Sequence, residues 1–161
     1  MIVVADTSPL HYLVLVGEVQ ILPQLFQQVL IPREVYEELT HIGAPHAVRG
    51  WAMAPPQWLE IRSVDLRLSD SMPELDPGEE AAIRLAQEQG TAFLLMDDTK
   101  GRREAAKRGI RTTGTLGVLQ AASQSGLLSL REVLPRLLHT NFYVARNLVD
   151  ALVEEEDKRE H

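Results

Sequence analysis

The sequence predicts an α/β fold built on a mainly parallel sheet with helices on both faces. Three observations carry that expectation. Short apolar runs rich in β-branched residues, Ile2 to Ala5, Val29 to Ile31 and Thr91 to Met96, read as strands. Helical patterns separate them, so each strand rejoins the sheet through a crossover. Two of the strands end in acids, Asp6 and the pair Asp97-Asp98, at the carboxyl edge where open α/β sheets collect ligands.

Taken in order, Asp6 is followed by Thr7-Ser8-Pro9, which stops the strand and opens a helix with a hydroxyl as cap. The helix reads from Leu10 to about Gly17, and Leu22, Leu25 and Phe26 form the apolar side of a short turn. After the strand Val29 to Ile31, a helix from Pro32 to about Ile42 buries Val35, Leu39 and Ile42, and Glu38 borders that stripe. Ala44 to Met53 reads as a short helix with Val48 and Trp51 inward. Trp58 to Arg62 alternates like an edge strand, and Ser63 to Leu75 reads as an exposed connection.

Asp76-Pro77-Gly78-Glu79 is an explicit helix start. Asp76 caps, Pro77 takes the first position, and Glu79 stands three residues on, as in a capping box. Gly90 ends this helix. Beyond Asp97-Asp98 come a basic helix from Lys100 to Arg108, a strand from Ile110 to Thr113 and a helix from Thr115 to Ser125. Ser129 caps a segment that Pro135 is expected to kink or shorten. A last helix from about Val144 to Glu156 turns Leu148, Val149 and Leu152 inward.

A length of 161 residues fits one domain over 1–161, with a core over about 1–126 and C-terminal helices over about 129–157. Hydrophobic residues at 45% and charged residues at 24% set aside disordered and fibrous classes. The apolar runs fall far short of the roughly 20 residues of a spanning helix, and no signal-peptide pattern opens the chain. The expectation is a cytoplasmic protein without a membrane role. Cysteine is absent, which removes disulfides and thiolate metal sites. The net charge of −7 argues on its face against a nucleic-acid partner, but Asp150 to His161 alone contributes −4. Carboxylates gathered about a cation would account for the rest.

Asp6, Glu38, Glu79 and Asp97 or Asp98 arrive from separate elements that this architecture can bring together. Such a cluster stays ionised only with a cation, because like charges a few ångströms apart raise one another's pKa. The hard ions Mg2+ and Mn2+ suit oxygen ligands, and they acidify water for attack on a phosphodiester. Each acid also has a plainer reading. Asp6 could cap the helix after it, Glu38 could face water, the capping box explains Glu79, and Asp97 or Asp98 could cap the Lys100 helix.

The ordered set Val3-Val4-Ala5-Asp6-Thr7-Ser8-Pro9-Leu10, Ile31-Pro32 with Val35 and Glu38-Leu39, Leu75-Asp76-Pro77-Gly78-Glu79 with Ala82-Ile83, and Leu94-Leu95-Met96-Asp97-Asp98 with Gly101-Arg102, Ala105 and Gly109-Ile110 resembles the PIN domain. The likeness spans roughly residues 1 to 126. It implies a three-layer α/β/α sandwich, an acidic Mg2+ or Mn2+ pocket and endonucleolytic cutting of RNA. Small proteins of this kind resemble the VapC-like toxins of type II toxin-antitoxin pairs, which implies a small antitoxin partner and a homodimer. Carried over, the catalytic acids are Asp6, Glu38, Glu79 and Asp97, with Asp98 as a further metal ligand. The third acid departs from the usual Asp, and the doubled Asp97-Asp98 leaves the register open by one.

Thr7 and Ser8 are candidates to hold a water or phosphate, with a turn or cap role as the alternative. Arg102, on the basic helix, is the chosen phosphate contact, with a merely solvated helix face as the alternative. The five histidines show no paired helical spacing and are read as incidental. Trp51 and Trp58 are read as packing residues rather than base-stacking ones. Two other classes stay open: a PIN-like module that binds RNA or protein without cutting, and a receiver-like signalling domain, which lacks here its paired acids on the first strand. An Asp-x-Asp phosphatase is disfavoured by Ser8.

Overall fold

Among the described residues, five parallel strands form the sheet, in the order β3-β2-β1-β4-β5. The computed structural model describes residues 1–65, 72–91 and 93–160. The strands are β1 (Ile2–Ala5), β2 (Gln28–Pro32), β3 (Leu59–Arg62), β4 (Phe93–Leu95) and β5 (Arg111–Thr113). Between and after them run α1 (Thr7–Leu15), a 3-10 turn (Val19–Ile21), α2 (Leu22–Leu25), α3 (Arg33–Thr40), α4 (His46–Met53), α5 (Pro77–Glu88), α6 (Thr99–Lys107), α7 (Thr115–Gln124), α8 (Leu130–Leu138) and α9 (Arg146–Glu160).

Alternation along the strands divides the core in two. Val3, Ala5, Val29, Ile31 and Leu95 point into one apolar cluster with residues of α1, α3, α4, α7 and α8. Val4, Leu30, Leu94 and Met96 point into the other, with Ala82, Ile83, Leu85 and Ala86 of α5 and Ala105 of α6. Helices therefore cover both faces, giving three layers. The chain leaves β1 towards β2 and β3, then crosses through α5 to β4 on the opposite side of β1. The reversal lies between β1 and β4, and a crevice opens beyond the carboxyl ends of strands at such a point. Ala5 pairs with Leu95, and the Asp6 N–H donates to the Leu95 carbonyl at 2.8 Å. The acids that follow β1 and β4 thus flank the crevice.

Several expected boundaries shift. α1 begins at Thr7 rather than Leu10, with Asp6 in the cap position. α3 stops at Thr40, and Ile42, expected in its buried stripe, is 80% exposed. His41 Nδ1 accepts the Gly43 N–H at 2.9 Å, a local turn that competes with another helical turn. Pro135 lies inside α8 without ending it. The last helix starts and ends later than expected, and of its expected inward residues Val149 is buried while Leu148 is exposed. Within the expected exposed connection, Met72 is buried in the α5 core; residues 66–71, Ala92 of the β4 run and His161 lie outside the described residues. β3 does lie at a sheet edge.

Candidate metal centre and its flanks

Asp6 is buried, 4% exposed, at the point where β1 turns into α1. Its extended backbone occupies the cap position, yet its side chain makes no cap hydrogen bond. The plain capping role is therefore not the one it fills. Burial pushes its carboxyl well above the ordinary range; the Thr7 backbone N–H pulls the other way, and the charges of Glu79, Asp76 and Glu38 push it further up. Every charge named there is negative.

Glu38 reaches the same centre from α3. Its carboxylate accepts a hydrogen bond from the Thr7 hydroxyl, so the first residue of α1 aims an acid of α3. Burial raises the Glu38 carboxyl, the Thr7 hydroxyl lowers it, and Asp76 and Glu34 raise it again. Close packing brings α5 beneath it. A Cβ on Gly78 would fall 2.7 Å from Glu38 Oε1, so glycine leaves the space that the carboxylate fills.

Glu79 keeps its expected helix-start role. Its Oε1 accepts the Asp76 N–H at 3.1 Å, while Asp76 Oδ1 accepts the Glu79 N–H at 2.8 Å. The capping box coexists with membership of the acidic group: burial raises the Glu79 carboxyl, the Asp76 N–H lowers it, and Asp76, Asp98 and Glu38 raise it. Asp76 itself is a residue that sequence reasoning used only as a cap. Its proximity to Glu79 through the box was the signal that it shares the site.

The doubled acid after β4 serves two helices. Asp98 Oδ2 accepts the Gly101 N–H at 2.8 Å and caps α6. Asp97 accepts the Thr115 N–H at 2.6 Å and the Thr115 hydroxyl at 2.7 Å, so it caps α7, whose own cap position is Gly114. A Cβ on Gly114 would lie 2.5 Å from Asp97 Oδ1. Burial raises the Asp97 carboxyl, the two Thr115 bonds lower it, and the Arg102 charge lowers it further. Arg102 Nε donates to Thr112 Oγ1 at 3.1 Å, which holds the guanidinium beside Asp97.

Ser8, Tyr12, Glu79, Asp97, Asp98 and Thr99 line one recess together with Phe142 and Tyr143. Burial, then the Asp97 charge, raises the Tyr12 phenol. Trp51 and Trp58 pack on each other at 5.9 Å and against the core, as read from the sequence.

The donor chemistry fits a hard divalent cation: oxygen ligands only, negative neighbours, and a buried member whose ionised form burial and those neighbours disfavour. Among the described residues no group of three or more acids or histidines is drawn into ligating geometry. Thr7 engages one oxygen of Glu38, and the Asp76 N–H engages one of Glu79. No helix of the described residues is long and apolar enough to cross a membrane.

Comparison with known proteins agrees with the fold. The family model DUF3368, described as a PIN domain, matches residues 2–158. A PilT N-terminus domain protein from the hyperthermophilic archaeon Sulfolobus solfataricus P2 has a similar structure, with a TM-score of 0.55 and 14% identity over 76% of this chain and 93% of that one. At that identity the likeness is one of fold. No curated protein matches the sequence.

Proposed function

The chain belongs to the PIN-domain family, and from that premise we propose that it is a Mg2+- or Mn2+-dependent endoribonuclease acting as the toxin of a VapC-like toxin-antitoxin pair. One observation carries the reading: a buried carboxylate, Asp6, at the carboxyl end of a central strand, acted on by the negative charges of Glu79, Asp76 and Glu38. A fold does not maintain that arrangement for stability, because each ionised neighbour opposes the next. Asp6, Glu38 and Glu79 are assigned as the main ligands, with Asp97 and Asp98 completing the set from β4. When bound, the ion supplies Lewis acidity and an acidified water for phosphodiester hydrolysis.

The protein's own groups set the stage for that chemistry. Thr7 orients Glu38, the capping box orients Glu79, and Thr115 orients Asp97. Arg102 places positive charge beside the acids, where a phosphate of the RNA arrives. As a toxin, the protein is a homodimer held in check by a small antitoxin that lays an Arg among these carboxylates.

The test is Mn2+-dependent cleavage of single-stranded RNA by purified protein. Loss of cleavage in Asp6→Asn, with a melting temperature no lower than that of the wild type, supports the assignment; undiminished cleavage by that variant sinks it. The commitment of both Asp97 oxygens and of Glu79 Oε1 to helix caps favours a second reading, a PIN module that binds RNA without cutting it. Calorimetry separates the two, since the second requires no Mn2+ uptake.

A further inference from the structure

Two recesses meet at Asp97. One, of about 390 Å³, is bordered by Glu79 and Asp98. The other, of about 430 Å³, is bordered by Arg102, Thr112 and Gly114. Both are within the range of ligand clefts, and Phe142 and Tyr143 wall both of them.

These two aromatics lie on the connection between α8 and α9, which is fixed in place rather than loosely draped. Thr140 Oγ1 donates to the Leu137 carbonyl at 2.6 Å and accepts the Phe142 N–H at 3.1 Å. The Phe142 ring packs edge-on against Tyr12, with centroids 4.9 Å apart and planes at 74°. Tyr12 in turn donates its hydroxyl to Asn141 Oδ1 at 2.7 Å and meets His11 edge-on at 4.6 Å. Phe142 is thereby half-buried as a support. Tyr143 is different: it is 89% exposed, an aromatic ring that a well-anchored loop holds in water.

Resting on the ribonuclease reading above, we propose that Tyr143, carried by Phe142 and Tyr12, is a stacking platform for one base of single-stranded RNA next to the scissile phosphate. The placement matches the polymer. A strand with one phosphate at the acidic recess and a neighbouring phosphate near Arg102 passes over the wall the recesses share, and that wall is an aromatic face. Unpaired bases stack on such faces with little sequence preference, whereas paired bases have no free face to offer. Tyr143 thus selects single strands and positions the backbone, while the acids carry the chemistry.

The test measures binding apart from cleavage. A fluorescein-labelled single-stranded oligoribonucleotide of mixed sequence is titrated in EDTA against wild type, Tyr143→Ala and Tyr143→Phe, with the same strand annealed to its complement as control. Tyr143→Ala is expected to raise Kd for the single strand about tenfold, Tyr143→Phe to bind within about twofold of wild type, and duplex binding to be unchanged. At its exposure the side chain leaves the fold untouched, which matching thermal melts verify. Wild-type binding and cleavage with an unaltered Kd in Tyr143→Ala would overturn the platform and leave the ribonuclease reading standing. Neither binding nor cleavage of RNA by the wild type would overturn both. Loss of a protein partner in Tyr143→Ala, with RNA affinity intact, would assign the aromatic wall to that partner and also overturn the platform.

Discussion

Gly78 lies directly against the carboxylate of Glu38: a Cβ at this position would stand 2.7 Å from Oε1 and 2.9 Å from Oε2. Gly78 is the second residue of α5, and Glu38 comes from α3. The atoms it would displace are the far end of a flexible side chain. Gly78→Ala is therefore expected to change stability by less than about 1 kcal/mol, since alanine is the better helix former, while displacing the Glu38 carboxylate from its place. Mn2+ affinity falls and melting does not, as calorimetric titration and thermal melts would show. Gly114→Ala is the contrast. Its Cβ would meet Asp97 Oδ1 at 2.5 Å, and that carboxylate is pinned by Thr115. With no free swing available, this variant is expected to lose about 1–3 kcal/mol by overpacking.

Thr7 and Glu38 offer a second test, of positioning. The Thr7 hydroxyl donates to Glu38 and lowers its carboxyl. Thr7→Val removes the donor at nearly constant volume, so the Glu38 carboxyl rises further and its ionised form becomes scarcer at a given pH. The acid limb of the pH profile of Mn2+-dependent cleavage is expected to move to higher pH. Mn2+ affinity is expected to drop about 10- to 100-fold, as when a partner that orients a metal ligand is lost. Thr7→Ser restores both. An unmoved pH limb in Thr7→Val would mean the hydroxyl has no hold on Glu38.

Asp6 links the site to stability. Its folded carboxyl is raised, so between the ordinary value of 3.8 and the raised one the folded protein binds more protons than the unfolded chain. The contribution of Asp6 to the stability of the metal-free protein is full below the ordinary value and falls as pH rises through that window. Asp6→Asn removes the penalty and is expected to melt above the wild type at neutral pH without metal, each 1 kcal/mol being about 2–4 °C at this chain length. Mn2+ raises the melting temperature of the wild type, more at neutral than at acid pH, and leaves the variant unmoved. Differential scanning calorimetry at two pH values, with and without Mn2+, measures all of this.

What was legible in the sequence was whatever local chemistry writes plainly. The Ile2 to Ala5 run, the Asp76-Pro77-Gly78-Glu79 start and the repeated strand-then-acid pattern lie within a few residues each, and the structure has each of these elements. Ile42 misled because periodicity continues past the point where His41 turns the chain. Asp97 and Asp98 could not be told apart, since both are helix caps and the helix that Asp97 caps begins at Thr115. Phe142 and Tyr143 carried no signal, because their place beside Asp97 depends on how α8 and α9 return to the sheet edge.

That return is secured by one buried acid, which supplies the last prediction. Glu156, in the strongly acidic C-terminal run, is 3% exposed. It accepts hydrogen bonds from the Ser123 and Ser129 hydroxyls at 2.5 and 3.1 Å, and from the Leu130 and Arg131 N–H groups at 2.5 and 3.3 Å. It therefore caps α8 from α9, with favourable charge at the N-terminus of α8. Burial raises its carboxyl, but the bonds from Ser123, Leu130, Arg131 and Ser129 outweigh it, and the net shift is downward. A lowered folded pKa contributes stability that is complete above the ordinary value of 4.5 and is lost as pH falls below it. Glu156→Gln turns an amide N–H towards donors and is expected to lose about 2 kcal/mol at neutral pH. The gap between the melting temperatures of wild type and variant narrows as pH drops through the carboxylate range. The same gap at pH 7 and pH 3.5 would show that the charge of Glu156 does not hold α8 and α9 together.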